Sequence, residues 1–142
     1  MENIVEKKQL IVAIVLVKNN VGEILLQKRL DPLIPEAHEK WELPGGRVEY
    51  GENPEETAKR EFMEEVGCEI KIKKLIPFAQ SSVWARTDGK EQQVIVLCYE
   101  AEIISGTPSV QDRKVAEVAW FSKEEILNLD TLRGINKFIE LA

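Results

Sequence analysis

Histidine and cysteine are scarce in this chain, with one His and two Cys in 142 residues. A structural zinc site takes about four closely spaced ligands, and His38, Cys68 and Cys98 are too few and too scattered to make one. The cysteines sit inside apolar segments and read as reduced core thiols of a cytoplasmic protein. No stretch approaches the roughly 18 uninterrupted apolar residues of a membrane span. The opening MENIVEKK lacks the basic-then-apolar order of a signal peptide. Both observations argue against a membrane partner. Positive charge is also in deficit: 19 Lys and Arg stand against 25 Asp and Glu, a net charge of −6. That balance argues against broad nucleic-acid binding and leaves room for a small phosphorylated substrate. Internal repeats and low-complexity linkers are missing too. The length suits one domain, residues 1–142, with a single core.

What is present is a mixture of strand and helix patterns. Gln9–Val17 is a β-branched run that reads as a buried strand. A turn at Asn19–Gly22 and a second strand over Glu23–Arg29 suggest a hairpin. Asp31–Lys40 reads as a proline-containing loop, Trp41–Leu43 as a short strand, and Pro44–Gly46 as a turn. Further strands are expected at Glu69–Phe78, Gln92–Ile104 and Glu117–Phe121, with Ala79–Lys90 a polar connection. Ser122 is expected to cap a helix over Glu124–Leu129, with Glu125 completing a capping box, and a last helix is expected over Thr131–Leu141. The alternation points to a layered α/β domain.

One segment carries chemistry. Residues 46–68 read GRVEYGENPEETAKREFMEEVGC. Asn53 is a good N-cap, Pro54 suits the first helical position, Glu56 sits where a capping box would put it, and Gly67 is a natural stop. On that helix, at about 100° per residue, Glu61, Glu64 and Glu65 share one sector, while Ala58, Phe62 and Val66 form the apolar stripe. Glu65 projects beside the stripe, so the acids look along the edge of the core into a cleft. Like charges at i, i+4 repel, and a cation would compensate them. Hard divalent cations take oxygen ligands of this kind, and magnesium usually serves phosphate chemistry. A solvated acidic helix face is the plainer alternative.

The segment resembles the Nudix box, G-x5-E-x7-R-E-U-x-E-E-x-G-U, where U is a bulky aliphatic residue. Gly46, Glu52, Arg60, Glu61, Glu64, Glu65 and Gly67 match it; Phe62 and Cys68 depart mildly at the two U positions. The resemblance extends over about residues 8–128. It implies an α/β/α sandwich around a mixed sheet, with the box helix beside the catalytic cleft. It implies a hydrolase that uses Mg2+, with Mn2+ as a possible substitute. Glu61, Glu64 and Glu65 are assigned to the metal, and Glu61 or Glu64 would double as a base. Gly45 or Gly46 would add a backbone carbonyl ligand, Glu52 would support the site, and Arg60 would hold a box carboxylate by a bidentate pair. Arg29 stands where MutT-like enzymes use a basic residue against phosphate, or is a solvated strand end. A later acid, Glu117 in preference to Asp112, would activate water. Trp84 is a candidate for stacking on a nucleobase, and Trp41 either stacks or packs. His38 is expected to be solvent-exposed and to play no part.

Substrate choice lies outside the box. Val83 stands where ADP-ribose hydrolases often carry proline, and Trp84 where the dinucleoside-polyphosphate group favours tyrosine. By elimination the expected reaction is hydrolysis of a nucleoside triphosphate to a nucleoside monophosphate and pyrophosphate, by a monomer or homodimer. The alternatives are an ADP-ribose or nucleotide-sugar pyrophosphatase, an RNA 5′-end pyrophosphohydrolase, and a non-catalytic nucleotide sensor. The sensor is disfavoured by the retained acids, and the RNA enzyme by the missing basic track.

Overall fold

The computed structural model describes residues 4–142. Its strands are β1 (Lys7–Val17), β2 (Ile24–Arg29), β3 (Trp41–Glu42), β4 (Gly45–Arg47), β5 (Glu69–Ala85), β6 (Glu91–Ser105) and β7 (Val115–Phe121). The helices are α1 (Pro54–Val66), α2 (Lys123–Ile126) and α3 (Ile135–Leu141). A mixed sheet runs in the order β4-β1-β6-β5, with β1 parallel to β6 and the other pairs antiparallel. A second, antiparallel sheet has the order β3-β2-β7. This is the α/β/α layering with a mixed sheet that the sequence led us to expect.

Side-chain alternation along β1 divides the core. Ala13, Val15 and Val17 face α1 and meet Ala58, Phe62 and Val66. Ile14 and Leu16 face the other way and meet Ile126 of α2 and Ile135, Phe138 and Ile139 of α3. β2 divides likewise: Leu25 joins the α1 side, Ile24 and Leu26 the other. Cys68 and Cys98 are buried free thiols, as the apolar runs around them suggest.

Several local expectations need correction. β1 and β2 do not form a hairpin. The turn exists, with the Asn19 N–H donating to Glu23 O at 2.9 Å, but only one bridge, Lys18 to Ile24, follows it. Both edges of β1 are taken by β4 and β6, and both edges of β2 by β3 and β7, so the strands part into different sheets. The stretch Ala79–Lys90 is not a polar connection. β5 continues through it to Ala85, paired with β6 from Gln80–Val96 to Ala85–Glu91, and the turn is confined to Arg86–Lys90. Its polar residues mislead because neither face is fully apolar. The last two helices are shorter than expected. Thr131 bridges to Trp41, and Gly134, at φ +98°, sets the start of α3. At α1 the Asn53 side chain accepts from the Glu55 N–H, so the cap forms one residue earlier than a capping box with Glu56 requires. The box at Ser122 and Glu125 is complete.

Candidate active site

The site lies where the C-terminal half of α1 meets the β3–β4 turn. Two glycines bring these elements together. Gly45 sits at φ +154°, and a side chain there would run into the backbone of Ala13 and Ile14. A side chain at Gly46 would occupy the space of the Glu61 carboxylate. Gly45 and Gly46 thus belong to β4 and not to the turn expected from the sequence, and the pair is needed for the close approach of β4 to β1 and of Glu61 to β4.

Arg60 organises the acids from one side. Its Nε and Nη2 donate to the two oxygens of Glu52 at 2.8 and 3.0 Å, the bidentate pair expected of it. Its Nη1 donates to Glu61 Oε1 at 2.9 Å and more weakly to Glu64 at 3.3 Å, and Nη2 also reaches the Arg47 carbonyl at 3.2 Å. The Arg60 hydrogen bonds, followed by one from Thr57, hold the Glu52 carboxyl down at about 2. Burial raises the Glu61 carboxyl despite the guanidinium beside it. Glu64 is the exposed member, with half of its side chain open to solvent.

Glu65 points the other way, into the molecule. It is 8% exposed, as its place beside the apolar stripe suggested. The Gly45 N–H donates to its Oε1 at 2.9 Å, and Gln27 Nε2 to its Oε2 at 2.8 Å. The same Gln27 nitrogen donates to Glu42 Oε2 at 3.0 Å. Burial first, and the neighbouring Glu42 second, push the Glu65 carboxyl up to about 8. Glu42 is also raised by burial, with Arg29 opposing the shift.

A cleft of about 760 Å³ opens from these acids. It runs from Glu61, Glu64 and Glu65 past Glu42 and Arg29 to Trp84, Arg86 and Arg133. Arg29 is no solvated strand end: its guanidinium donates to Asp31 at 2.6 Å and to Glu42 at 3.3 Å. Trp84 lies on a strand, 6% exposed, with the Arg133 guanidinium 4.3 Å over its ring. The indole face expected to be open for stacking is thus covered by a cation. Trp41 packs edge-on against Phe121 at 4.9 Å. His38 is only partly open, and its Nδ1 accepts the Asp31 N–H at 3.0 Å. Asp112 lines the cleft, with its Oδ1 accepting the Lys114 N–H at 2.8 Å. Glu117, the acid preferred from the sequence, is exposed, sits opposite Lys28, and lies outside the cleft lining. Simple alternation would set it on the side of Val115 and Phe121, but the register between β2 and β7 shifts between Lys28–Glu117 and Arg29–Val115, and Glu117 is left exposed. Glu52 stands behind Arg60 and also lies outside the cleft lining.

Gln27, Glu42, Asp31 and Arg133 were not singled out from the sequence. Gln27 had a readable signal: it interrupts an aliphatic strand on the same face as Leu25, which points inward. Glu42 stands three residues before the glycine pair, close enough to have been suspected.

All donors on the α1 rim are carboxylate oxygens, a chemistry that fits a hard divalent cation. Among the described residues no three acids converge as a ready-made cation cluster. Glu61 and Glu64 lean on Arg60, while Glu65 is fastened to Gln27 and Gly45. The donor set fits by type, and Glu61 and Glu64 need to turn off Arg60 to use it.

The sequence profile of the NUDIX domain matches residues 7–141. The chain belongs to the Nudix family. A candidate mutator protein, MutT4, of Mycobacterium tuberculosis (strain CDC 1551 / Oshkosh) is 38% identical over 86 residues, covering 61% of this chain and 34% of that protein. A candidate 8-oxo-dGTP diphosphatase of Bacillus subtilis (strain 168) is 34% identical over 111 residues, covering 78% of this chain and 64% of that protein. The matches thus span about a third and just under two thirds of those relatives. The crystal structure of a MutT protein from Methanosarcina mazei Go1 superposes with a TM-score of 0.76 at 27% identity, covering 96% of this chain and 94% of that one. Likeness of this extent makes the chain a MutT-like member of that family. No helix among the described residues is long and apolar enough to cross a membrane.

Proposed function

We propose that this Nudix protein is a magnesium-dependent nucleoside triphosphate pyrophosphohydrolase releasing a nucleoside monophosphate and pyrophosphate. The observation that carries the reading is the meeting of Glu61 and Glu65 with Gly45 and Gly46 of β4 on the wall of one large cleft. Glu61, Glu64 and Glu65, with a main-chain carbonyl of Gly45 or Gly46, would hold the cation. Bound magnesium supplies charge neutralisation on phosphate and acidifies water at neutral pH. The protein's share is placement. Arg60, anchored by Glu52, keeps Glu61 and Glu64 on the cleft side of α1. Arg29 and Lys114 add positive charge beside the same rim, where the polyphosphate would lie. Glu61 or Glu64 at the mouth is suited to accept the proton of the attacking water, and Asp112 is the further acid within the cleft. The small-nucleotide reading agrees with the dimensions of the cleft and with the substrate named for the Bacillus relative. Its two buried free thiols support a cytoplasmic setting, where it would act as a monomer or homodimer.

The test is product identification with magnesium and a panel of nucleoside triphosphates, ADP-ribose, nucleotide sugars and triphosphorylated RNA. Release of monophosphate and pyrophosphate from a triphosphate is the expected result. Turnover confined to ADP-ribose or a nucleotide sugar would move the substrate to that class. Turnover of RNA alone would make it a 5′-end enzyme. Binding without turnover across the panel would make it a sensor.

A further inference from the structure

Gln27 is wholly buried in the middle of β2, where its neighbours Ile24, Leu25 and Leu26 are aliphatic. An aliphatic side chain would fill that position with no polar group to satisfy. The glutamine instead divides its amide nitrogen between two acids from different elements, Glu42 of β3 at 3.0 Å and Glu65 of α1 at 2.8 Å. Its Oε1 is buried and finds no donor among the described residues. Leaving a buried carbonyl unpaired costs free energy. Turning the amide over would be worse once both acids are ionised, as cation binding requires, because it would set that oxygen against two carboxylates. The residue is therefore a poor choice for the core and a good one for the acids.

Its effect on Glu65 is geometric. Oε1 accepts from the Gly45 N–H and Oε2 from Gln27, so the carboxylate is held by one donor on each oxygen. Two donors on opposite oxygens fix its plane and leave its other lone pairs for a cation. Magnesium demands near-ideal octahedral geometry, and groups that orient a ligand from behind typically change metal affinity by about 10–100-fold.

We propose that Gln27 is a positioning residue of the cation site: by dividing its amide between Glu42 and Glu65, it sets the direction in which Glu65 meets the metal. The inference rests on Glu65 being a cation ligand, as argued above.

The experiment is a Mn2+ titration of the nucleotide-free protein, read from the electron paramagnetic resonance signal of free Mn2+. The metal-free thermal midpoint is measured alongside. Gln27→Met keeps the length and removes both donors. The expected result is a Mn2+ dissociation constant raised about tenfold or more, with the metal-free midpoint unchanged or higher, since an unsatisfied polar group has left the core. A lowered midpoint with Mn2+ affinity within about twofold of wild type would make Gln27 a structural residue and overturn the proposal. Glu65→Gln separates the two inferences. If it weakens Mn2+ binding and Gln27→Met does not, only the positioning role fails. If wild type binds no Mn2+, or Glu65→Gln binds it as well as wild type does, the ligand reading fails and takes the proposal with it. Gln27→Leu serves if Gln27→Met does not fold, and failure of both to fold would assign Gln27 to the core and overturn the proposal.

Discussion

Glu64 and Glu65 are adjacent in sequence and live in different surroundings. Glu64 is half open to solvent and hydrogen-bonded to Arg60, whereas Glu65 is buried and held from two elements. Both are proposed as cation ligands. Replacing either by Gln keeps the size and removes the charge. Each change is expected to lower turnover at least a hundredfold, about 2.7 kcal/mol of barrier, with the circular dichroism spectrum unchanged. A loss below threefold at both sites would return the acids to surface decoration. The two water-activating candidates separate in the same way. Asp112 lines the cleft and Glu117 is exposed outside it. At saturating magnesium, Asp112→Asn is expected to lower turnover more than Glu117→Gln, the reverse of what the sequence suggested. The opposite order would restore Glu117, and no effect from either would leave the role to a glutamate of α1.

At the scale of elements, α1 and the segment before it act as one unit because Glu52 clamps Arg60 through two hydrogen bonds. The Glu52 carboxyl lies at about 2, well below the ordinary value for glutamate. A depressed carboxylate contributes stability that is present above its unfolded value and lost as pH falls toward its folded one. The thermal midpoint is therefore expected to drop between about pH 4.5 and 2, and Glu52→Gln to flatten that slope. An equal slope in the variant would show that the clamp contributes nothing. α1 itself was legible from the sequence in its bounds, though not in its capping box, because its N-cap, first proline, stop glycine and apolar stripe all agree. β5 was legible only in its first half. Beyond Phe78 it alternates Gln80, Ser82 and Trp84, which line the cleft, with Ser81, Val83 and Ala85 on the other face. A strand whose inner face meets a polar cleft loses the apolar alternation by which strands are found. The parting of β1 and β2 was hidden for another reason: sheet membership depends on partners far along the chain, β6 and β7, that no local pattern names. The acids of α1 showed themselves by their spacing. Gln27 and Glu42 act through contacts between elements, and those appear only once the chain is folded.

As a whole the molecule carries a charge of −6, yet its cleft is lined by Arg29, Arg47, Arg60, Arg86, Lys114 and Arg133. Several of these are engaged with acids, so little net attraction is left for a polyphosphate until a divalent cation joins it. Turnover of a nucleotide is accordingly expected to require magnesium or manganese and to vanish in excess chelator; full turnover in chelator would sink the cation reading. The Arg133 guanidinium resting on Trp84 has an optical corollary. A planar ligand entering that end of the cleft must either stack on the guanidinium or displace it, and either event changes what lies against the indole. With Trp41 and Trp120 replaced by Phe, Trp84 becomes the only tryptophan among the chain's three. Its emission should then respond to nucleotide, and Arg133→Ala should shift the starting spectrum toward that of the liganded protein. An emission spectrum that moves with Arg133→Ala and not with nucleotide would mean that substrate does not reach this end of the cleft. The protein thus carries its own fluorescent gauge of how far along the cleft a ligand extends, readable without any catalytic assay.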